Sequence, residues 1–287
     1  MSALRSIKAV YAGRPTLEGA GVRLRRAFGY DEVPSFDPFL MMDDFGSTAP
    51  EDYVAGFPWH PHRGIETVTY MLHGEVRHGD SLGNAGSISD GQVQWMTAGG
   101  GIIHQEMPRE QPDYLRGFQL WVNLPARDKM MPPRYQDIEA KDIPVTSVVG
   151  GAAVKVIAGR FGDCRGPVTD IVCDPLYLDV ALPRGARFVQ AVPADHTAFV
   201  YAIRGAGTFD RGPKKLSAGR LGLYGPGTGI EVAAGPDGVR FLLVAGKPIG
   251  EPVAWRGPIV MNTDAELDQA FREYRNGVFL QHENRAR

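Results

Sequence analysis

Short apolar runs, each closed by a turn signal, recur along this chain and leave few folds open to it. Ile65–Leu72, Phe118–Leu124, Ala153–Ile157, Leu176–Leu182, Ala198–Ile203 and Val239–Val244 have the length and the β-branched or aromatic content of strands. Turns are marked by His78-Gly79-Asp80, Ser89-Asp90-Gly91, Gly99-Gly100-Gly101, Gly205-Ala206-Gly207, Gly225-Pro226-Gly227 and Gly235-Pro236-Asp237-Gly238. The 287 residues include 36 glycines and 22 prolines, a proportion too high for a helical bundle and suited to many short strands. Apolar residues make up 43%, enough to fill two cores.

The pattern repeats. Thr69-Tyr70-Met71-Leu72-His73-Gly74-Glu75 matches Val200-Tyr201-Ala202-Ile203-Arg204-Gly205-Ala206 as a strand followed by a glycine turn. Beyond each lies a second matching block, Ile88–Trp95 in the first copy and Leu216–Leu223 in the second. Two copies this far apart, each about half the chain, predict a duplicated β-barrel. The polar, proline-bearing stretch from Met131-Pro132-Pro133-Arg134 to Asp142-Ile143-Pro144 sets the expected boundary, giving domains 1–138 and 139–287. One helix is expected near the end of the second domain. Thr263 and Glu266 form a capping-box pattern, and Leu267, Ala270, Phe271 and Tyr274 follow as a helical apolar stripe ending near Gly277.

Two segments carry chemistry. Trp59-His60-Pro61-His62-Arg63-Gly64-Ile65-Glu66 and Ile103-His104-Gln105-Glu106-Met107 each place two metal-ligand side chains at i and i+2. On a strand that spacing sends both to one face. If the strands meet inside a barrel, three imidazoles and a carboxylate converge, a donor set suited to a divalent transition metal with open positions. Four buried ionisable groups without a metal would need good partners to offset desolvation. Glu66 has the same parity as His60 and His62, so spacing alone leaves Glu66 and Glu106 as alternatives for the carboxylate. His73, His78, His196 and His282 read as ordinary surface or core histidines. Gly99-Gly100-Gly101 lacks the lysine of a phosphate loop and reads as the turn into the second ligand strand. Phe57, Trp59, Trp95, Met96 and Met107 flank the ligands as packing residues or as walls of an apolar pocket.

Charge and cysteine content exclude several classes. A formal net charge of −2 gives no field for nucleic acid or anionic lipid. Two cysteines, Cys164 and Cys173, do not make a secreted disulfide framework. The first residues lack a leader-like apolar core, and no run reaches the ~20 apolar residues of a membrane helix. A cytoplasmic protein that contacts neither membrane nor nucleic acid directly is expected.

Several segments resemble the pirin family. They are Asp37–Phe45, His60–Val68, Gln94–Gly99, His104–Pro108, Gln119–Leu124 and Gly257–Thr263. The resemblance runs nearly end to end and thins between Gly150 and Glu251. It implies an all-β bicupin, two stacked antiparallel β-barrels of jelly-roll type, with the metal in the first. It assigns the ligands as His60, His62, His104 and Glu106, and so selects Glu106 over Glu66. It implies a metal-free second copy, consistent with Asp195-His196-Thr197, where no His-x-His pair occurs. One divalent ion per chain is expected, Fe(II) first among first-row metals. Some pirins are assigned as quercetin 2,3-dioxygenases, which implies a flavonol and O2 as substrates and Glu106 as the catalytic proton acceptor. Others are described as regulators that bind a transcription factor or a metabolic enzyme, with the metal structural or redox-sensing.

Overall fold

The computed structural model describes residues 3–148, 150–212 and 214–282. It is mostly β, with a single long helix, Asp264–Arg275, among the described residues. Five of the six sequence runs read as strands lie wholly within strands and the sixth, Phe118–Leu124, overruns its strand by one residue; the longest strands are Gly229–Gly246 and Thr197–Thr208. Among the described residues no helix is long and apolar enough to cross a membrane.

The chain separates into two compact units. One comprises Pro15–Ser35, Phe39–Ala140 and Ile249–Arg287, and the other Met1–Arg14, Phe36–Pro38 and Lys141–Pro248. These units interleave along the chain, whereas the division expected from sequence, 1–138 and 139–287, is continuous. The first fourteen residues cluster with the later unit. The C-terminal helix, expected in the second domain, clusters with the earlier one. The physical reason is in the tail's own apolar contacts: Ile259, Met261, Leu267, Ala270 and Phe279 bury one another and pack against Ile103, next to His104.

The unit that starts at Pro15 is built from two antiparallel sheets of jelly-roll type. A seven-stranded sheet runs in the order Arg134–Ile138, Val93–Thr97, Ile65–His73, Leu115–Asn123, Phe39–Ser47, Val22–Phe28, Arg14–Glu18. A four-stranded sheet runs Phe57–His62, Ile102–Pro108, Val76–Asp80, Ala85–Ile88. The other unit has one nine-stranded antiparallel sheet whose inward residues, among them Val154, Leu178, Val200, Phe241 and Leu243, make its core. The sheets curl without closing into a hydrogen-bonded barrel among the described residues.

The duplication is visible in hydrogen bonds. The Gly91 N–H donates to the Met71 carbonyl at 2.9 Å, and the Met71 N–H donates to the Gln92 carbonyl at 3.1 Å. In the second copy Gly219 donates to Ala202 at 2.8 Å and Ala202 to Arg220 at 2.9 Å. These are the positions the sequence repeat pairs. Gly91 and Gly219 both have positive φ, 76° and 79°, which a glycine adopts without steric cost.

The helix begins as its capping box requires. Thr263 Oγ1 accepts from the Glu266 N–H, and a Glu266 carboxylate oxygen accepts from the Thr263 N–H at 2.8 Å. Asp264 and Glu266 sit in its first turn and Arg272 and Arg275 in its last, complementing the helix dipole. Both cysteines are free thiols.

Candidate metal centre

His60 and His62 end the strand Phe57–His62, and His104 lies on the adjacent antiparallel strand Ile102–Pro108, directly opposite His60. Strand pairing thus sets the His60 and His62 pair beside His104. One ring nitrogen from each of the three histidines falls within 4.8 Å of the others. Among the described residues this is the only such group of histidine, cysteine and carboxylate side chains.

Local contacts set the tautomers. His60 Nδ1 lies 2.8 Å from the Pro58 carbonyl oxygen and His62 Nδ1 lies 3.0 Å from that of Pro258. A carbonyl only accepts, so each Nδ1 carries the proton and each Nε2 presents a lone pair. Those two Nε2 atoms face one another at 3.1 Å. Two lone pairs so placed repel unless a cation lies between them. The separation is close to the ~3.0 Å expected for neighbouring imidazoles about 2.1 Å from a shared ion at a right angle. His104 is 1% exposed, and neither of its ring nitrogens has a hydrogen-bond partner. Buried polar atoms are rarely left this way.

Protonation does not solve the problem. Burial lowers the pKa of His60. Burial, with His60 nearby, takes that of His62 down to about 3. His104 is held well below its ordinary value by burial and then by the other histidines. Three neutral, convergent imidazoles are the ligand form, and the donor set fits a divalent transition metal.

Glu106 sits two positions beyond His104 on the same strand, but it is not part of the close three-histidine group. The pairing shifts register between His104 and Glu106, so Glu106 falls opposite Phe57 rather than Pro58. Its carboxylate is buried, and that burial raises its pKa to about 7, opposed by a hydrogen bond from Thr69. Thr69 Oγ1 is 3.1 Å from Glu106 Oε1 and 2.7 Å from the Gln119 side-chain oxygen, and its single proton serves one of them at a time.

Glu66 is engaged elsewhere. Its oxygens accept from Trp95 Nε1 at 3.1 Å and from Thr97 Oγ1 at 2.7 Å. The parity argument that joined it to His60 and His62 fails at Gly64. That residue has φ +77° and receives the chain from one sheet to hand it to the other. A Cβ there would collide with the Val260 carbonyl oxygen. The glycine turn before His104 holds the other side of this bend, with the Gly64 N–H donating to the Gly99 carbonyl at 2.8 Å.

A cavity of about 640 Å³ opens from His60, His62 and Glu106. That is ample for a drug-sized ligand. Phe57 and Trp59 line it; Trp95, Met96 and Met107 do not, and Trp95 and Met96 are buried. Sequence reasoning missed most of the wall. Val22, Leu24 and Arg26, then Met41, Asp43 and Phe45, then Gln119 and Trp121 alternate along three neighbouring strands and all face the cavity. Their period of two was legible, but which face pointed to the metal was not. Trp121 lies edge-on to His62, centroids 5.0 Å apart, and Trp255 lies 5.8 Å from Trp121. Trp255 and Pro258 come from the C-terminal tail, which no local pattern placed here.

A polar row crosses the seven-stranded sheet in register. Thr69 is opposite Gln119, Gln119 opposite Asp43, and Asp43 opposite Arg26. The row begins at the hydroxyl that meets Glu106 and ends at a guanidinium.

Comparison with known proteins agrees with this fold. Residues 21–122 match the Pirin family model and residues 177–280 match the Pirin C-terminal cupin domain. A Pseudomonas aeruginosa protein named "Putative quercetin 2,3-dioxygenase" is 46% identical over 97% of this chain and 99% of its own length. The crystal structure of a quercetin 2,3-dioxygenase from Acinetobacter baumannii superimposes with a TM-score of 0.89 at 34% identity, covering 96% of this chain and 99% of that one. A bacterial pirin from Escherichia coli, solved in complex with nickel(II), has a TM-score of 0.63 at 25% identity over 86% of this chain and 99% of that one. With both family models matched and near full-length relatives of this identity, the chain belongs to the pirin family.

Proposed function

We propose that this protein is a metal-dependent dioxygenase that opens the ring of flavonols such as quercetin with O2 and releases carbon monoxide. The observation that carries the reading is the convergence of three neutral imidazoles, one with both nitrogens unpartnered and the other two lining an aromatic-walled cavity. His60, His62, His104 and Glu106 would hold one divalent ion, with Fe(II) the first expectation and other first-row metals compatible with the same donors. When bound, the ion acts as a Lewis acid toward a flavonol oxygen and a site for O2.

The remaining work falls to the chain's own residues. Nδ1–H bonds to Pro58 and Pro258 keep the His60 and His62 rings turned with Nε2 toward the substrate end. The Glu106 carboxylate takes the proton of the flavonol hydroxyl, and the Thr69 hydroxyl steadies the oxygen that does so. Trp59, Trp121 and Trp255 wall the cavity with flat apolar surface that suits fused aromatic rings and excludes water.

The test is quercetin consumption by purified, metal-loaded protein in air and under anaerobic conditions, with carbon monoxide measured. Consumption must need both O2 and the bound metal and must release carbon monoxide. Loss that continues without O2, or that free metal in buffer matches, would shift the assignment to a regulatory metal-binding protein.

A further inference from the structure

The reaction proposed above uses one end of the cavity and leaves its polar far end without a role. We propose that Glu18 and Arg26, with Asp43 holding the guanidinium, form a hydroxyl-recognising subsite that selects flat aromatics carrying phenolic hydroxyls remote from the metal. The proposal rests on the flavonol reading and names the part of the substrate that this chain reads.

Three observations support it. First, the cluster is built and fixed. Arg26 donates from Nε and Nη2 to the two Asp43 oxygens at 2.9 and 2.8 Å, and its Nη1 meets Glu18 Oε1 at 2.9 Å. The Asp43 side chain is 3% exposed and that of Arg26 16%, whereas that of Glu18 is 40% exposed and faces the cavity. A bidentate fork holds Arg26 in place before any ligand arrives, so little ordering is left to the binding step.

Second, its unused valences match a hydroxyl. Arg26 has five N–H groups, of which these contacts take three, and Glu18 keeps a second oxygen. Donor and acceptor side by side suit a group that both accepts and donates. Two carboxylates around one guanidinium leave a net negative charge, which disfavours a carboxylate in the same place.

Third, the distance suits an extended molecule. Thr69, Gln119, Asp43 and Arg26 lie on four successive strands in register. At about 4.8 Å per strand the row spans roughly 14 Å. A flavonol held through the hydroxyl of its central ring projects its pendant ring away from the metal end, and along this row that ring points toward Arg26, beside a wall formed by Trp121 and Trp255.

The experiment is equilibrium binding to metal-loaded protein without O2, followed by tryptophan fluorescence. Galangin, kaempferol and quercetin carry zero, one and two hydroxyls on the pendant ring. Affinity should rise along that series, with quercetin roughly tenfold above galangin, as expected for a hydrogen bond to a charged group. Glu18→Ala should bring quercetin down to the galangin level. Glu18→Gln, which retains an oxygen acceptor, should restore part of the preference. Equal affinities in the wild type, or a preference that survives Glu18→Ala, overturns the subsite while flavonol binding and turnover stand. Graded binding without turnover supports the subsite and instead overturns the dioxygenase reading. If no flavonol binds, both fall.

Discussion

Nδ1 of His62 is hydrogen-bonded to the carbonyl oxygen of Pro258, 3.0 Å away and 196 positions later in the chain. The tail that supplies this oxygen is itself clamped beside the histidines. Arg63, the residue after His62, donates to the Gly100 and Phe279 carbonyls at 2.8 and 2.6 Å and to Glu273 at 2.6 Å. Its guanidinium lies over the Phe279 ring, 4.3 Å from the centroid. A residue between two candidate ligand segments thus ties the C-terminal helix to the candidate metal centre. Groups that orient a metal-bound imidazole in this way commonly matter 10–100-fold in affinity.

His62→Ala removes one convergent nitrogen and the bond to Pro258. It should abolish most metal binding while the unit containing Lys141–Pro248 stays folded, because no residue of that unit's core is touched. Elemental analysis should find about one metal per wild-type chain, since the described residues hold one such site. Retention of a full equivalent by the variant would refute the ligand assignment.

Lys129 is 1% exposed, and its Nζ donates to Gly64 O at 2.9 Å, Asn123 Oδ1 at 2.7 Å and Val260 O at 3.0 Å. It joins the bend after His62 to the tail. Lys129→Met fills the space but removes three hydrogen bonds to buried acceptors, each worth about 1 kcal/mol. Denaturant unfolding should show a loss of about 3 kcal/mol, with weakened metal retention. A change within experimental error would show that the three contacts contribute nothing net.

Two glutamates should behave differently. Glu66→Gln should leave metal content unchanged and lower the unfolding midpoint, because Glu66 serves Trp95 and Thr97. Glu106→Gln keeps an oxygen ligand but removes a proton acceptor. It should therefore cut turnover by roughly a hundredfold while most of the metal remains. The reverse pattern, with metal lost in the Glu66 variant only, would exchange their roles.

His73 lies between Asp113, 2.9 Å from Nε2, and Asp90, 3.0 Å from Nδ1. The Asp113 hydrogen bond, then Asp90, raises its pKa above the ordinary value. The folded state therefore binds the proton more tightly than the unfolded chain does. The contribution is complete below about pH 6.5, the unfolded value, and fades as pH rises through the raised folded pKa. His73→Gln should flatten that part of the stability–pH curve measured by thermal unfolding. An unchanged slope in the variant would assign the dependence to another group. The site is surface-exposed, so the effect should be small and should shrink in high salt.

The sequence by itself determined the strands, the duplication, the C-terminal helix and its cap, and the two i, i+2 pairs. These depend on contacts within a few residues: alternation sets a strand's faces, a glycine at positive φ ends it, and Thr263 and Glu266 cap a helix locally. The pairing of Gly91 with Met71 and of Gly219 with Ala202 shows how closely the repeat was legible. Only the tertiary structure decided what those faces meet. Glu66 and His62 share parity along the chain, yet one turn at Gly64 sends them to different sheets. Thr69, Gln119, Asp43 and Arg26 form one polar row because four strands pair in register, and register depends on partners up to dozens of residues away. Pro258 and Trp255 reach the candidate metal centre, and Glu273 reaches Arg63 beside it, because the tail's apolar residues found their burial there. Burial is non-directional and carries no marker in local sequence, so a segment's partner is settled only when the whole chain has packed.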